Sequence, residues 1–170
     1  MTNNDVMKSV RYTLDLKNAE VVLMIKEGGV ELNALDVSQI LKDETDEGYV
    51  DCPNETIHAF LDGLIMKRRG PSDLPIDKEA TKWINNNVVL RKLRIAFEMK
   101  DTDMIATMKS AGFSVSKGEI NALFRATTHK NYKKCQDQFL RYFLKGLTLT
   151  FRPPENLMCT GKTGHEILLI

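Results

Sequence analysis

The stretch from Arg125 to Cys135 holds the densest group of side chains that could do chemistry. Five of these side chains are basic, and a tyrosine lies among them. The six residues are Arg125, His129, Lys130, Lys133, Lys134 and Tyr132. Clustered cations bind phosphate oxygens, and an aromatic ring beside them can stack on an unpaired base. Two interpretations stay open: a solvated face, or one that meets a partner copy of opposite charge, and an anion-binding surface with weak, sequence-tolerant binding of nucleic acid as its chemistry.

Cys135 offers a second kind of chemistry, because two lysines precede it and a predicted helix follows it. The positive end of a helix dipole and neighbouring cations both stabilise a thiolate, which is the reactive form of cysteine. Cys135 is followed three residues later by Gln138, and Cys52 by Glu55, which is the spacing of a capping box. Two roles stay open: capping or packing for both cysteines, and a reactive thiol at Cys135 that labels faster than Cys52.

No other set of residues points to a reaction. The sequence has no glycine-rich phosphate loop, no Ser/His/Asp arrangement and no close carboxylate pair with a base. It has no Cys-x-x-Cys pair, and the separation of His129 from Cys135 does not match a standard zinc-ligand spacing. We therefore predict a binding or interaction protein with no catalytic residue, no metal and no cofactor.

The elements that position these residues come from an internal duplication. A shift of 83 positions superposes residues 3–69 on residues 86–152 without a gap, and 15 of the 67 aligned pairs are identical. About four identities are expected by chance at ordinary residue frequencies. Tyr49 aligns with Tyr132, and Cys52 aligns with Cys135. The chain is therefore predicted to contain two copies of one structural unit.

Each copy is predicted to form four helices, because apolar residues recur at helical spacing and strand-like alternation is nowhere sustained. Asn3 or Asn4 is expected to cap the first helix. The predicted fold is all-α, with two tandem copies of a four-helix unit packed about a pseudo-twofold axis. The expected organisation is a first, acidic repeat at 1–70, a linker and the start of a helix at 71–85, a second, basic repeat at 86–152, and a C-terminal tail at 153–170.

The fourth helix of each copy contains the motif Phe-Leu-x-Gly-Leu. A glycine inside a helix costs about 1 kcal/mol relative to alanine, so another contact must offset that cost. We expect Gly63 and Gly146 to allow the close approach of another backbone, that of the matching helix in the other copy. The same motif predicts four buried side chains, Phe60, Leu64, Phe143 and Leu147.

The two copies carry opposite charge, although the whole chain has a net charge of only +1. Residues 1–70 contain 8 Lys and Arg against 13 Asp and Glu, whereas residues 86–152 contain 13 against 5. The loop before the fourth helix changes from acidic to basic around the same tyrosine and cysteine. Opposite loops favour protein–protein interaction, including head-to-tail self-association; the alternative is weak nucleic-acid or anion binding through the basic loop.

We expect a cytoplasmic protein from the composition. No apolar run approaches the roughly 20 residues that cross a bilayer, and the N-terminal residues do not have the pattern of a secretory signal. Three cysteines are an odd number, which fits free thiols in a reducing compartment better than a disulfide framework. We therefore expect no membrane partner.

The sequence also resembles a known bacterial family. Asn-Asp-Val-x-x-Ser-Val-Arg-Tyr at residues 4–12, Phe-Leu-Asp-Gly-Leu-Ile at residues 60–65 and His-Lys-Asn-Tyr at residues 129–132 are similar to the YehS-like proteins. The resemblance covers residues 3–152. Members of that family carry a domain of unknown function twice, so the resemblance implies the duplication but no activity, cofactor or catalytic residue.

Overall fold

The computed structural model describes residues 1–71 and 80–154, and its regular structure is helical throughout. The first repeat contains α1 (Asn3–Thr13), α2 (Asn18–Glu27), α3 (Ala34–Ile40) and α4 (Asn54–Arg69). A short 3-10 helix, Ala80–Lys82, precedes the second repeat, which contains α5 (Asn86–Ala96), α6 (Asp101–Ser110), α7 (Lys117–Leu123) and α8 (Asp137–Phe151). The predicted all-α duplication is confirmed, while most of the predicted linker and tail lies outside the described residues. No helix in the described ranges is long and apolar enough to cross a membrane.

Helices α1 and α7 begin at capping boxes. Thr2 Oγ1 accepts a hydrogen bond from the Asp5 amide at 3.1 Å, and the Asp5 carboxylate accepts one from the Thr2 amide at 2.8 Å. Ser116 and Glu119 form the same reciprocal pair at the start of α7. Such pairs satisfy amides that have no partner inside the helix. Thr2 rather than Asn3 or Asn4 therefore caps α1, and the predicted cap is wrong.

A buried asparagine in the first turn of α5 fixes the loop that leads into α8. The Asn87 side-chain amide donates to the carbonyls of Leu123 at 2.8 Å and Lys133 at 2.9 Å, and its oxygen accepts from the Cys135 amide at 2.9 Å. Asn4 makes the equivalent three bonds in the first repeat, to Ile40, Val50 and Cys52. Because buried polar groups need partners, these bonds hold each loop against its first helix.

Gly63 and Gly146 lie where two helix backbones nearly touch. A Cβ atom at Gly146 would lie 2.1 Å from the Thr107 carbonyl oxygen on α6, and one at Gly63 would lie 1.9 Å from the Met24 carbonyl oxygen on α2. The predicted close approach is confirmed, but the predicted partner is wrong. Each glycine packs against the second helix of its own repeat, because α2 with α4 and α6 with α8 form the main pairs inside the two units.

The two repeats pack together by covering each other's fourth helix. Helix α1 lies on α8, and α5 lies on α4. The pseudo-twofold relation is visible in two equivalent ion pairs at the helix ends: Arg69 lies 3.5 Å from Glu98, and Arg152 lies 3.3 Å from Asp15. The members of these pairs occupy matching positions in the duplicated sequence.

Buried side chains of both repeats form one hydrophobic cluster. The four side chains of the duplicated motif are at most 1% exposed, as predicted: Phe60, Leu64, Phe143 and Leu147. Because α1 and α5 cover helices of the opposite repeat, neither unit encloses its apolar surface alone. Cys135, which follows the surface loop of the second repeat, belongs to this shared cluster.

Candidate anion-binding surface

The basic loop, residues 125–134, connects α7 to α8. Its backbone is fixed at several points: the Lys133 amide donates to the Ala122 carbonyl at 3.0 Å, and the Asn131 amide donates to His129 Nδ1 at 3.0 Å. Asn87 holds the end of the loop at Lys133. Because backbone and asparagine contacts set the shape of the loop, most of its charged side chains extend from the surface.

The six predicted anion-binding residues differ in exposure. The side chains of His129, Lys130, Lys133 and Lys134 are exposed, whereas Arg125 and Tyr132 are half-buried. Lys133 forms an ion pair with Glu119, in which Nζ lies 3.9 Å from a carboxylate oxygen. The described residues show no other ion pair to this loop. Arg125 Nη1 lies 3.4 Å from the Asn131 carbonyl oxygen. The loop thus presents more positive charge than its neighbours neutralise.

The acidic loop of the first repeat, residues 43–51, is the counterpart. Its Asp43, Glu44, Asp46 and Glu47 side chains are exposed, and Lys8 Nζ lies 2.9 Å from Asp43.

The tyrosine in each loop has a different neighbour. Tyr49 donates a hydrogen bond to Asp51 at 2.9 Å, and burial together with that carboxylate raises the pKa of Tyr49 to about 12. Lys134 occupies the place of Asp51 in the second repeat, so Tyr132 has a cation where Tyr49 has a carboxylate.

An aromatic groove of about 400 Å³ adjoins the basic loop. Its less exposed side is apolar, and its exposed side carries polar and charged groups; the lining consists of Phe113, Val115, Leu123, Phe139, Tyr132, Lys133, Lys134, Gln136, Gln138 and Glu119. The ring centroids of Phe113 and Phe139 are 5.9 Å apart at a near-perpendicular angle, and those of Phe113 and Tyr142 are 5.0 Å apart. This spacing is typical of favourable aromatic pairs.

The sequence interpretation missed this groove. The signal was present in the duplication, because Val30, Thr56 and Ala59 of the first repeat align with Phe113, Phe139 and Tyr142. Thr56 and Ala59 of α4 are buried, but their larger counterparts are only half-buried. Three aromatic replacements on one side of the second repeat therefore build a surface that the first repeat lacks.

Cys135 lies beside this surface but points into the core. Its side chain is 1% exposed, and its Sγ atom lies 3.7 Å from the Gln136 carbonyl oxygen. Gln136 and Pro53, rather than the two cysteines, are the N-cap residues of α8 and α4, so of the predicted capping or packing role the capping part is wrong and the packing part is confirmed by burial. Burial raises the pKa of both thiols to about 12, opposite in direction to the shift predicted for Cys135 from the lysines and the helix. The reactivity of Cys135 itself stays a prediction.

Across residues 1–71 and 80–154, no group of three His, Cys, Asp or Glu side chains is arranged to hold a metal ion. The fold and the surface together define an all-helical protein of two tandem repeats that present loops of opposite charge.

The chain matches the family described as "Protein of unknown function (DUF1456)" over residues 3–70 and 86–152. It is 44% identical over 147 residues to a protein of Escherichia coli (strain K12) named "Uncharacterized protein YehS", across 86% of this chain and 94% of that protein. The chain therefore belongs to the DUF1456 family, and its resemblance to the YehS-like proteins is confirmed. No solved structure matches the chain.

Proposed function

We propose that this protein binds polyanions, and that its second repeat holds a single-stranded nucleic acid by the phosphates. The observation that supports the proposal is the open basic loop, in which exposed cations lie on both sides of Tyr132. Cations that contact phosphates set affinity without reading base identity, so binding is weak and tolerant of sequence. The acidic loop repels the same ligand, and the first repeat therefore contributes little.

Charge reversal in the loop tests this proposal. We expect Lys130→Glu, Lys133→Glu and Lys134→Glu together to abolish binding of labelled single-stranded RNA and DNA, measured by fluorescence anisotropy at about 50 mM salt. The control carries three reversals of exposed lysines elsewhere, Lys17→Glu, Lys100→Glu and Lys109→Glu. Both variants change the net charge equally. A larger loss of binding affinity in the loop variant would therefore be due to the position of the lysines and not to the total charge.

The reverse change in the first repeat gives a gain of function. Asp46→Lys with Glu47→Lys places cations on the acidic loop, beside Tyr49, and binding should strengthen. Absence of binding by the unmutated protein, or equal losses in the loop variant and its control, would contradict the proposal.

A second candidate function is interaction with another protein, including a second copy of this chain. Exposure of both loops favours it, because the acidic loop of one molecule could contact the basic loop of the next. Such an assembly weakens as salt screens the charges, whereas a monomer in both low and high salt would count against it. Light scattering at two salt concentrations distinguishes these outcomes.

The cytoplasm is the compartment that this proposal assigns to the protein. Cys52 and Cys135 are free thiols, and a reducing compartment keeps thiols in that state. Nucleic acid is also accessible there.

A further inference from the structure

We infer that the aromatic groove is a base-binding site, which takes an unpaired base from the strand whose phosphates lie on the basic loop. The inference rests on the proposed function, which places only the phosphates on the basic loop, and adds the site that holds the bases. Stacking on aromatic rings is tolerant of base identity, because every base has a flat face. The site would therefore favour single strands over duplexes without selecting a sequence.

The lining of the groove suits a base. Phe113 and Phe139 present rings from two elements, the segment after α6 and the first turn of α8, and both rings are half-buried. Gln136 and Gln138 lie on the exposed side, and a glutamine amide can both donate to and accept from a base edge. A volume of about 400 Å³ lies within the range of small-molecule sites.

The groove is continuous with the phosphate-binding part of the surface. Tyr132 and Lys133 line both the groove and a second depression, which Arg125, Lys130 and Asn131 also line. A base in the groove would thus have its own phosphate beside Lys133 or Lys134. This succession of aromatic and cationic groups is the pattern by which proteins hold single-stranded nucleic acid.

One carboxylate lies in the groove, and its hydrogen bonds hold it against α7. A Glu119 oxygen accepts from the Ser116 amide at 3.0 Å and from the Ser116 hydroxyl at 2.9 Å. The side chain also faces Lys133 at 3.9 Å. Glu119 is therefore engaged with its own helix and with a cation, and Lys134 adds further positive charge at the exposed side of the groove. This excess of positive charge favours an anionic occupant.

A comparison of the affinities for a normal oligonucleotide and for an abasic strand of equal length separates the contribution of the bases from that of the phosphates. We expect the unmutated protein to bind the normal strand about tenfold more tightly than the abasic strand, as one stacked base provides. Phe139→Ala should remove that preference and leave abasic binding unchanged, because the loop cations remain. Trp83→Ala is the control, since Trp83 is an aromatic residue outside the groove that is 82% exposed. Phe139→Leu retains apolar packing without the ring and replaces Phe139→Ala if the alanine variant is unfolded.

Each outcome bears on a different claim. Equal affinity of the unmutated protein for both strands would overturn the base-binding site and leave the phosphate-binding function intact. Failure to bind either strand would overturn both. Tighter binding of a polyglutamate peptide than of the normal strand would also overturn the inference, because it would identify an acidic protein segment as the occupant.

Discussion

Cys135 lies at a point where nearby charges and burial act on the thiol in opposite directions. Two lysines and a following helix predict a lowered pKa, yet burial raises the pKa to about 12. The segment that contains Cys135 is held in place by Asn87, 48 positions earlier in the chain, whose oxygen accepts a hydrogen bond from the Cys135 amide. Local sequence describes charge near a residue, but burial depends on contacts between distant segments.

Both buried thiols should therefore react slowly while the protein is folded. In a Cys159→Ser background, we expect Cys52 and Cys135 to label far more slowly than a free cysteine at pH 8, and urea should release both together. The cause is the small thiolate fraction and the lack of access. Mass spectrometry after timed labelling measures each site. Rapid labelling of Cys135 in the native protein would restore its predicted reactivity.

The raised pKa values of the two thiols also determine how the stability of the folded protein changes with pH. Burial raises the pKa of both folded thiols to about 12, whereas unfolded thiols lose their protons near their ordinary pKa. Their contribution to stability is therefore fully present below about pH 8.5 and is lost as pH rises toward 12.

At the scale of elements, the helices were predictable and their partners were not. Apolar periodicity is a local signal, and it identified four helices in each copy, although the caps predicted for α1, α4 and α8 were wrong. The partner of Gly146 was predicted wrongly, because a glycine indicates close contact without indicating which backbone comes close. The aromatic groove was missed because the fold brings Phe113 and Phe139 together from separate segments, and only a comparison of the two copies marks both positions.

Gly146 should be intolerant of even a methyl group. We expect Gly146→Ala to destabilise the protein by about 3 kcal/mol, because the new Cβ atom would lie 2.1 Å from the Thr107 carbonyl oxygen. Gly118→Ala is the matched control, because the nearest atom to its added Cβ, outside its own local backbone, lies 3.9 Å away. Alanine there should stabilise α7 by about 0.5–1 kcal/mol. Urea unfolding followed by circular dichroism measures both, and equal effects would contradict the close-packing account.

For the whole molecule, the duplication predicted two units but left open whether they are independent. The structure shows that each first helix packs on the fourth helix of the other repeat, so the two units share one apolar cluster. Lys92 with Asp62 and Arg68 over the Phe97 ring, 4.5 Å from its centroid, add polar and aromatic contacts across the same interface.

The two repeats should consequently unfold as one. We expect a single thermal transition for the full chain, and no cooperative transition for a fragment of residues 1–71, because that fragment exposes the face of α4 that α5 covers. Scanning calorimetry of both proteins makes the comparison. A fragment that melts cooperatively at a similar temperature would show that the repeats fold independently.

The most direct test of the central claim is the salt dependence of binding to a labelled single strand. The loop carries four lysine and arginine side chains that would contact phosphates, Arg125, Lys130, Lys133 and Lys134. Four such contacts predict a slope of about −3 in a plot of log affinity against log salt concentration. The variant with Lys130, Lys133 and Lys134 changed to Glu should show a slope near zero or no binding. A slope that is the same in the variant as in the unmutated protein, or no binding by the unmutated protein, would contradict the claim that the basic loop holds the phosphates.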